Sequence, residues 1–303
     1  MSEPNSRTAQ PLVGVFWMLV TGALFVAVTA VVKHVGDGVP APQAAFLRYA
    51  LGLVFLVPML GPLFRTGLTR RTLVLFSARG LAHGVGVMCW FFAMTQISIA
   101  EVTAMNYLNP VYVTLGAAFF LGERLAARRI IAVLMALIGA LVILRPGVRE
   151  ISPGHIAMLV TAVLFACSYL IAGIMSMEVS PAVVVAMLSI TVTIVLAPFA
   201  YAVWVPPTLA QLGLLFLVAA FATTGHYTMT LAFAAAPLTV TQPVTFLQLV
   251  WATLLGWLVF DESVDRWVVI GGAIILGSVT FITWREAVLK RRAVTPPDLA
   301  TKV

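Results

Sequence analysis

Charge is scarce in this sequence. Only 10% of its 303 residues are Asp, Glu, Lys or Arg, 61% are hydrophobic, and the mean hydropathy is +1.05. A soluble domain carries about a quarter charged residues, so this chain has too little polar surface to stay dissolved. Cysteine is nearly absent. Cys89 and Cys167 both lie inside apolar runs, which excludes a disulfide framework and makes them small hydrophobic fillers. The short signatures of chemistry are missing too: there is no C-x-x-C set, no H-E-x-x-H, no Walker lysine and no G-x-S-x-G. The glycine-rich stretch Arg79 to Gly86 sits in the middle of an apolar run, where close helix packing explains it better than a phosphate cradle. No metal and no cofactor is expected. Acids are absent from the middle of every run, since Glu101 and Glu178 fall at run ends. That argues against a carboxylate proton relay and leaves histidine titration, substrate exchange or simple facilitation.

What is present is a series of contiguous apolar stretches of about 20 residues, the length of a membrane-spanning helix. Ten fit the chain: 12–33, 43–60, 73–96, 102–121, 128–145, 154–175, 181–203, 209–233, 238–260 and 266–284. The first is longer than a cleaved signal core and reads as a retained helix. The loops are short and carry Pro, Gly or charge, and the tail after Arg285 reads as polar and disordered. The net charge of +7 does not call for nucleic acid, because the basic residues sit at the ends of runs. Counted on alternate sides, 12 Lys and Arg fall on one face and 4 on the other. The richer face is expected to be cytoplasmic, with both termini on it. Trp267 and Trp284 bracket the last run as interfacial anchors.

The chain repeats itself. Leu19-Val-Thr-Gly-Ala-Leu-Phe25 matches Leu159-Val-Thr-Ala-Val-Leu-Phe165 at five of seven positions with an offset of 140 residues. The charged knots around Glu123 and Glu262 recur at an offset of 139. A duplicated unit of five helices is odd-numbered, so the second copy enters the membrane in the opposite sense. The expected fold is an all-α polytopic membrane protein of ten transmembrane helices as two inverted five-helix repeats. Its units are a cytoplasmic tail over 1–11, a first repeat over 12–147, a second over 148–284, and a cytoplasmic tail over 285–303. The two glutamates are expected to pin the fourth-to-fifth connection of each unit by capping the next helix.

With Asn109-Pro110-Val111, Leu121-Gly122-Glu123-Arg124, Leu144-Arg145-Pro146-Gly147 and Leu255-Gly256-Trp257 through Phe260-Asp261-Glu262 in this order, the chain resembles the drug/metabolite transporter superfamily, in its EamA-domain branch. The second copy departs from the family pattern, with Leu249 in place of a proline and Asp261 in place of a glycine. The resemblance implies a polytopic carrier of small metabolites in a bacterial inner membrane, often an exporter, with a central cavity.

Polar groups at mid-membrane are costly and mark candidate sites. Arg79 and His83 lie four apart on one helix face. Together they read as a cationic patch for a carboxylate or phosphate, or else as a snorkelling arginine and a helix-bonding histidine. Gly80 and Gly84 form a small-residue face beside them, and Arg48 can snorkel from the second run. Asn106, Tyr107 and Asn109 precede Pro110, which frees a carbonyl near Asn106. In the second half the candidates are His226 and Tyr227 on the eighth run, and Gln242, Thr245, Gln248 and Trp251 on the ninth, the last three on one face. Ser168 and Tyr169 are weaker candidates.

The expected substrate-binding residues are thus Arg79, His83, Asn106, Tyr107, Asn109, His226, Thr245, Gln248 and Trp251. Their partner is a small-molecule substrate with an anionic group. The lipid bilayer is the other partner, nucleic acid is not one, and a homodimer is left open. Alternating-access export of an amino-acid-like or other carboxylate-bearing compound is the leading reading, and uptake of a vitamin or nucleoside-like metabolite is second. A membrane-embedded lipid-modifying enzyme would need a nucleophile-base pair or metal cluster, whereas the four histidines scatter over four runs without acidic partners at depth. A scaffold would not need polar groups in both halves. A carrier is expected to show a cavity lined by His83, Asn106 and Gln248.

Overall fold

Prolines and hydroxyl side chains set the helix starts. Pro11, Pro153 and Pro181 open their helices, where a missing N–H costs nothing. Thr69, Ser98 and Thr208 cap theirs, each in a reciprocal capping box with the residue three positions on. The computed structural model describes residues 10–121, 127–148, 150–175, 178–236 and 242–294, and these contain helices and no strand. The helices are α1 (Pro11–Val35), α2 (Ala41–Gly52), α3 (Leu60–Arg65), α4 (Arg70–Gln96), α5 (Ile99–Asn106), α6 (Asn109–Leu121), α7 (Ala127–Leu144), α8 (Pro153–Met175), α9 (Pro181–Ala202), α10 (Leu209–Ala235), α11 (Phe246–Phe260) and α12 (Arg266–Val294). Five stretches are long and apolar enough to cross a bilayer unaided, in α1, α4, α8, α9 and α10, and shorter apolar helices lie in the second, fifth, ninth and tenth spans.

Three expected spans are not single helices. The second joins α2 to α3 through a 3₁₀ stretch, Leu53–Met59, where Gly52 ends the helix and Pro58 denies an N–H to the turn before it. The fourth breaks at Tyr107 and Leu108 into α5 and α6, because the Pro110 ring excludes the Asn106 carbonyl. The ninth begins as a 3₁₀ turn, Gln242–Thr245, ahead of α11. The tenth runs past its expected edge to Val294, since its Leu, Lys, Arg and Ala are good helix formers.

The helices pair across the repeats in a two-fold pattern. α1 packs on α10 as α8 packs on α4; α2 packs on α10 as α9 packs on α4; α6 packs on α8 as α1 packs on α11; and α2 meets α9, and α7 meets α12, their own counterparts. The fold is therefore two inverted five-helix repeats, interlocked rather than side by side. The core between them holds Phe91, Met94, Met105, Leu108, Ile143, Met158, Leu196, Leu215 and Leu249. Ile130, Ile131, Leu134, Met135, Ile138 and Leu141 are exposed at helical spacing along α7, an apolar stripe for lipid to cover.

At the end of the bundle where α1 finishes, the repeats are fastened by charge. Lys33 pairs with Glu262 and donates to the Ile97 carbonyl at 3.0 Å. Glu262 accepts the Ile99 N–H at 3.0 Å, and Arg145 pairs with Asp265. Glu262 therefore caps α5 of the other repeat rather than the helix that follows it. The reason is local: Asp261 adopts the left-handed conformation at φ 56°, and the turn points the next side chain back across the bundle. Glu123 lies outside the described residues.

Candidate functional site

The centre of the bundle gathers polar side chains from α2, α4, α8 and α10. His83, on α4, stands between two hydroxyls, with Nε2 3.0 Å from Tyr49 Oη and Nδ1 3.2 Å from Ser168 Oγ. A neutral imidazole offers one donor and one acceptor, and either hydroxyl can complement either role. Its ring stacks on Phe165 at 4.7 Å between centroids and 20° between planes. Tyr49 and Tyr169 stand edge-on to it at 6.3 and 6.5 Å. One turn away, Arg79 is 6% exposed. It donates from one terminal nitrogen to the Val184 carbonyl at 2.9 Å, while its buried Nε has no hydrogen-bond partner. Arg79 therefore does not snorkel to the interface. It is held inward because Gly80 and Gly84 let α9 pack closely on α4, against Thr191, Val195 and Leu196.

Arg48 is also turned inward, with its guanidinium 4.3 Å from the Tyr49 ring centroid. Arg48, Arg79 and His226 all act electrostatically on His83, so the three positive or protonatable groups share one region with it. His226 comes from α10 and stands edge-on to Phe25 of α1 at 5.1 Å. This is a cation-rich, aromatic-walled cluster at the middle of α4.

The remaining candidates form a second group at the fourth and ninth spans. Tyr107 Oη donates to the Thr245 carbonyl at 2.8 Å. That bond joins the break in the fourth span to the 3₁₀ turn of the ninth, so the two irregular segments meet. Asn109 keeps its Oδ1 buried without a partner. Gln248 faces Gly22 of α1, whose Cβ position would lie 3.8 Å from the Gln248 Cβ. Trp251 is 46% exposed and Tyr227 64% exposed. No hydrogen bond or ring contact among the described residues ties Asn106, Asn109, Gln248 or Trp251 to His83. The cavity at the Lys33 end, of about 440 Å³, is lined by other residues, among them Lys33, Glu101, His155 and Glu262, and not by His83, Asn106 or Gln248.

The same family model, the EamA-like transporter family, matches the chain twice, at residues 12–145 and 152–284. The chain belongs to the EamA-like transporter family. Relatives of this transporter cover its length. A riboflavin transporter from Rhizobium johnstonii is 28% identical over 94% of this chain and 95% of its own. An S-adenosylmethionine uptake transporter from Rickettsia prowazekii is 24% identical over 93% and 96%. A pseudopaline exporter from Pseudomonas aeruginosa is 27% identical over 87% and 93%. A solved crystal structure, 21% identical, is similar over 92% of this chain and 99% of its own, with a TM-score of 0.58, which shows the shared fold. The family and the relatives' names are those of transporters, so this is a multi-pass membrane transporter of small molecules and not an enzyme.

Sequence reading missed Tyr49 and Phe165. Tyr49 adjoins Arg48 inside a run, a signal that was there to use. Phe165 is one apolar residue among many, and only its stacking on His83 sets it apart.

Proposed function

We propose that this EamA-like transporter carries, by alternating access, a small metabolite with a planar ring and an anionic group, bound between Arg79 and the aromatic wall around His83. The single observation behind this reading is Arg79. Its guanidinium is buried at mid-span with one backbone acceptor and a vacant Nε, and among the described residues no carboxylate pairs with it. A buried cation without a counter-ion is strongly unfavourable, and an anionic substrate supplies the missing partner. Asn106, Tyr107, Asn109, Thr245, Gln248 and Trp251, the group at the breaks of the fourth and ninth spans, then line the path to this site, and His226 stands beside it.

Uptake of a vitamin-like or nucleoside-like compound is the stronger direction. Riboflavin and S-adenosylmethionine, named for two relatives, each carry a flat heteroaromatic ring, which suits the stacked walls. Export of an amino-acid-like compound is the second reading, favoured by the relative named as a pseudopaline exporter. The test is uptake and efflux of radiolabelled riboflavin and S-adenosylmethionine in cells expressing the chain, with ring-bearing carboxylates and phosphates as competitors. Anionic ring compounds are expected to compete, and Arg79→Gln to weaken that competition by about tenfold, the equivalent of one charge-assisted hydrogen bond. Competition by neutral compounds alone, or competition unchanged in Arg79→Gln, overturns the anion reading.

A further inference from the structure

Arg48 is a cation inside a membrane span with nothing to neutralise it. Its guanidinium is half-buried and rests on the face of the Tyr49 ring, 4.3 Å from the centroid. Among the described residues it makes no hydrogen bond and no ion pair. A permanent positive charge with its full fork of N–H donors is thus left over. These nitrogens are not sealed off as the Arg79 Nε is, so a ligand can reach them. The paired acids are held elsewhere: Glu262 by Lys33, Glu178 by Arg71, Asp265 by Arg145 and Glu101 by His155.

The place of Arg48 gives this vacancy a meaning. Snorkelling to the interface, which the sequence allows, would carry the guanidinium away from the bundle centre. Instead it lies over Tyr49, whose hydroxyl is 3.0 Å from His83 Nε2. Its charge bears on both His83 of α4 and His226 of α10. By helical rise, the Arg48 backbone lies about 10 Å in from the start of α2. His83 and Arg79 lie about 20 Å and about 25 Å in from the end of α4 at the same face. The two arginines therefore stand on opposite sides of His83 along the bundle axis, Arg48 towards the Lys33 end and Arg79 beyond it.

Charge balance then decides how many anionic groups suit the site. A substrate with one such group compensates Arg79 and leaves Arg48 uncompensated within a span, which is costly. A substrate with two compensates both. Each guanidinium presents a planar fork that matches a carboxylate or a phosphate.

We propose that Arg48 is a second anion-binding residue of the central site, and that the preferred substrate carries two anionic groups, carboxylate or phosphate, on either side of the part that meets His83. This rests on the reading that Arg79 binds an anion, and adds to it a second contact and the charge of the substrate.

Calorimetric binding of benzoate and terephthalate to the intact purified chain tests this, since the two share a ring and differ by one carboxylate. Terephthalate is expected to bind about tenfold more tightly, the gain of one charge-assisted contact, in lipid-free dodecyl maltoside and in phosphatidylglycerol nanodiscs alike. Arg48→Gln is expected to remove that preference, and Arg48→Lys, which keeps the charge, to retain part of it. Arg79→Gln is expected to weaken both ligands. Equal binding of the two ligands by the wild-type chain overturns the proposal whether or not a variant folds. If benzoate binding still falls in Arg79→Gln, the Arg79 reading stands without it; if neither ligand binds, both readings fall. Equal weakening of the two ligands in Arg48→Gln makes Arg48 a packing residue and also overturns the proposal. A preference present in detergent and lost in phosphatidylglycerol nanodiscs gives Arg48 to a headgroup phosphate, with the same consequence.

Discussion

Single residues carry the two departures from the family pattern, and the structure shows how each is accommodated. Asp261 stands where a glycine is usual, at φ 56°. Asp tolerates this left-handed conformation better than most residues but worse than glycine. Glu262 N–H then returns to the Gly256 carbonyl at 3.0 Å, which aims the Glu262 carboxylate at Ile99 and Lys33. Asp261→Gly is expected to stabilise the chain by up to about 1 kcal/mol, and Asp261→Val to destabilise it by about 1–2 kcal/mol. Thermal unfolding in detergent should therefore move in opposite directions for the two variants. Leu249 stands where a proline is usual. It is 1% exposed within an unbroken α11, so the second repeat loses a kink there and gains a core side chain. Neither accommodation is visible in the sequence, because a backbone angle and a packing partner are both set by distant residues.

At the scale of elements, helix contacts depend on small residues that admit a neighbour's backbone. In the pairing of α7 with α12, a Cβ on Gly139 would lie 2.7 Å from the Gly271 carbonyl oxygen and 3.1 Å from Ile275 N. Gly277, on the same helix α12, has open space where its Cβ would be. Gly139→Val is thus expected to cost several kcal/mol by forcing the helices apart, as overpacking does, while Gly277→Val stays within about 1 kcal/mol. Yield and monodispersity of the purified variants separate the two. The helix count and approximate edges were legible from apolar runs and capping residues. The breaks in the second and ninth spans were not, since each leaves the hydropathy of the run unchanged. The break in the fourth was half legible, because Pro110 opens or kinks any helix that contains it, whereas the two-residue gap at Tyr107 and Leu108 is set by packing.

At the scale of the whole molecule, the two-fold pairing places α2, α4, α8 and α10 around the central site, with the Lys33–Glu262 and Arg145–Asp265 pairs at one end of the bundle and the Arg71–Glu178 pair at the other. Charge counting assigns the end bearing Gln10 to the cytoplasm. Cysteines introduced at Val148 and Val264, both exposed, are expected to react with an impermeant maleimide in intact cells. One at exposed Arg70 should react only after permeabilisation. The reverse pattern would invert the orientation.

The sequence by itself determined the class, the span number, the duplication and its inversion, because these follow from composition, run length and an odd repeat, which are properties of the chain in order. It also singled out Arg79 and His83, since a polar group in an apolar run is conspicuous whatever surrounds it. Only the tertiary structure decided what those groups face, that Tyr49, Ser168 and Phe165 enclose His83, that Glu262 reaches across to α5, and that Glu101 meets His155. These are contacts between residues far apart in the chain, and no local pattern encodes the partner of a side chain that the fold alone brings near.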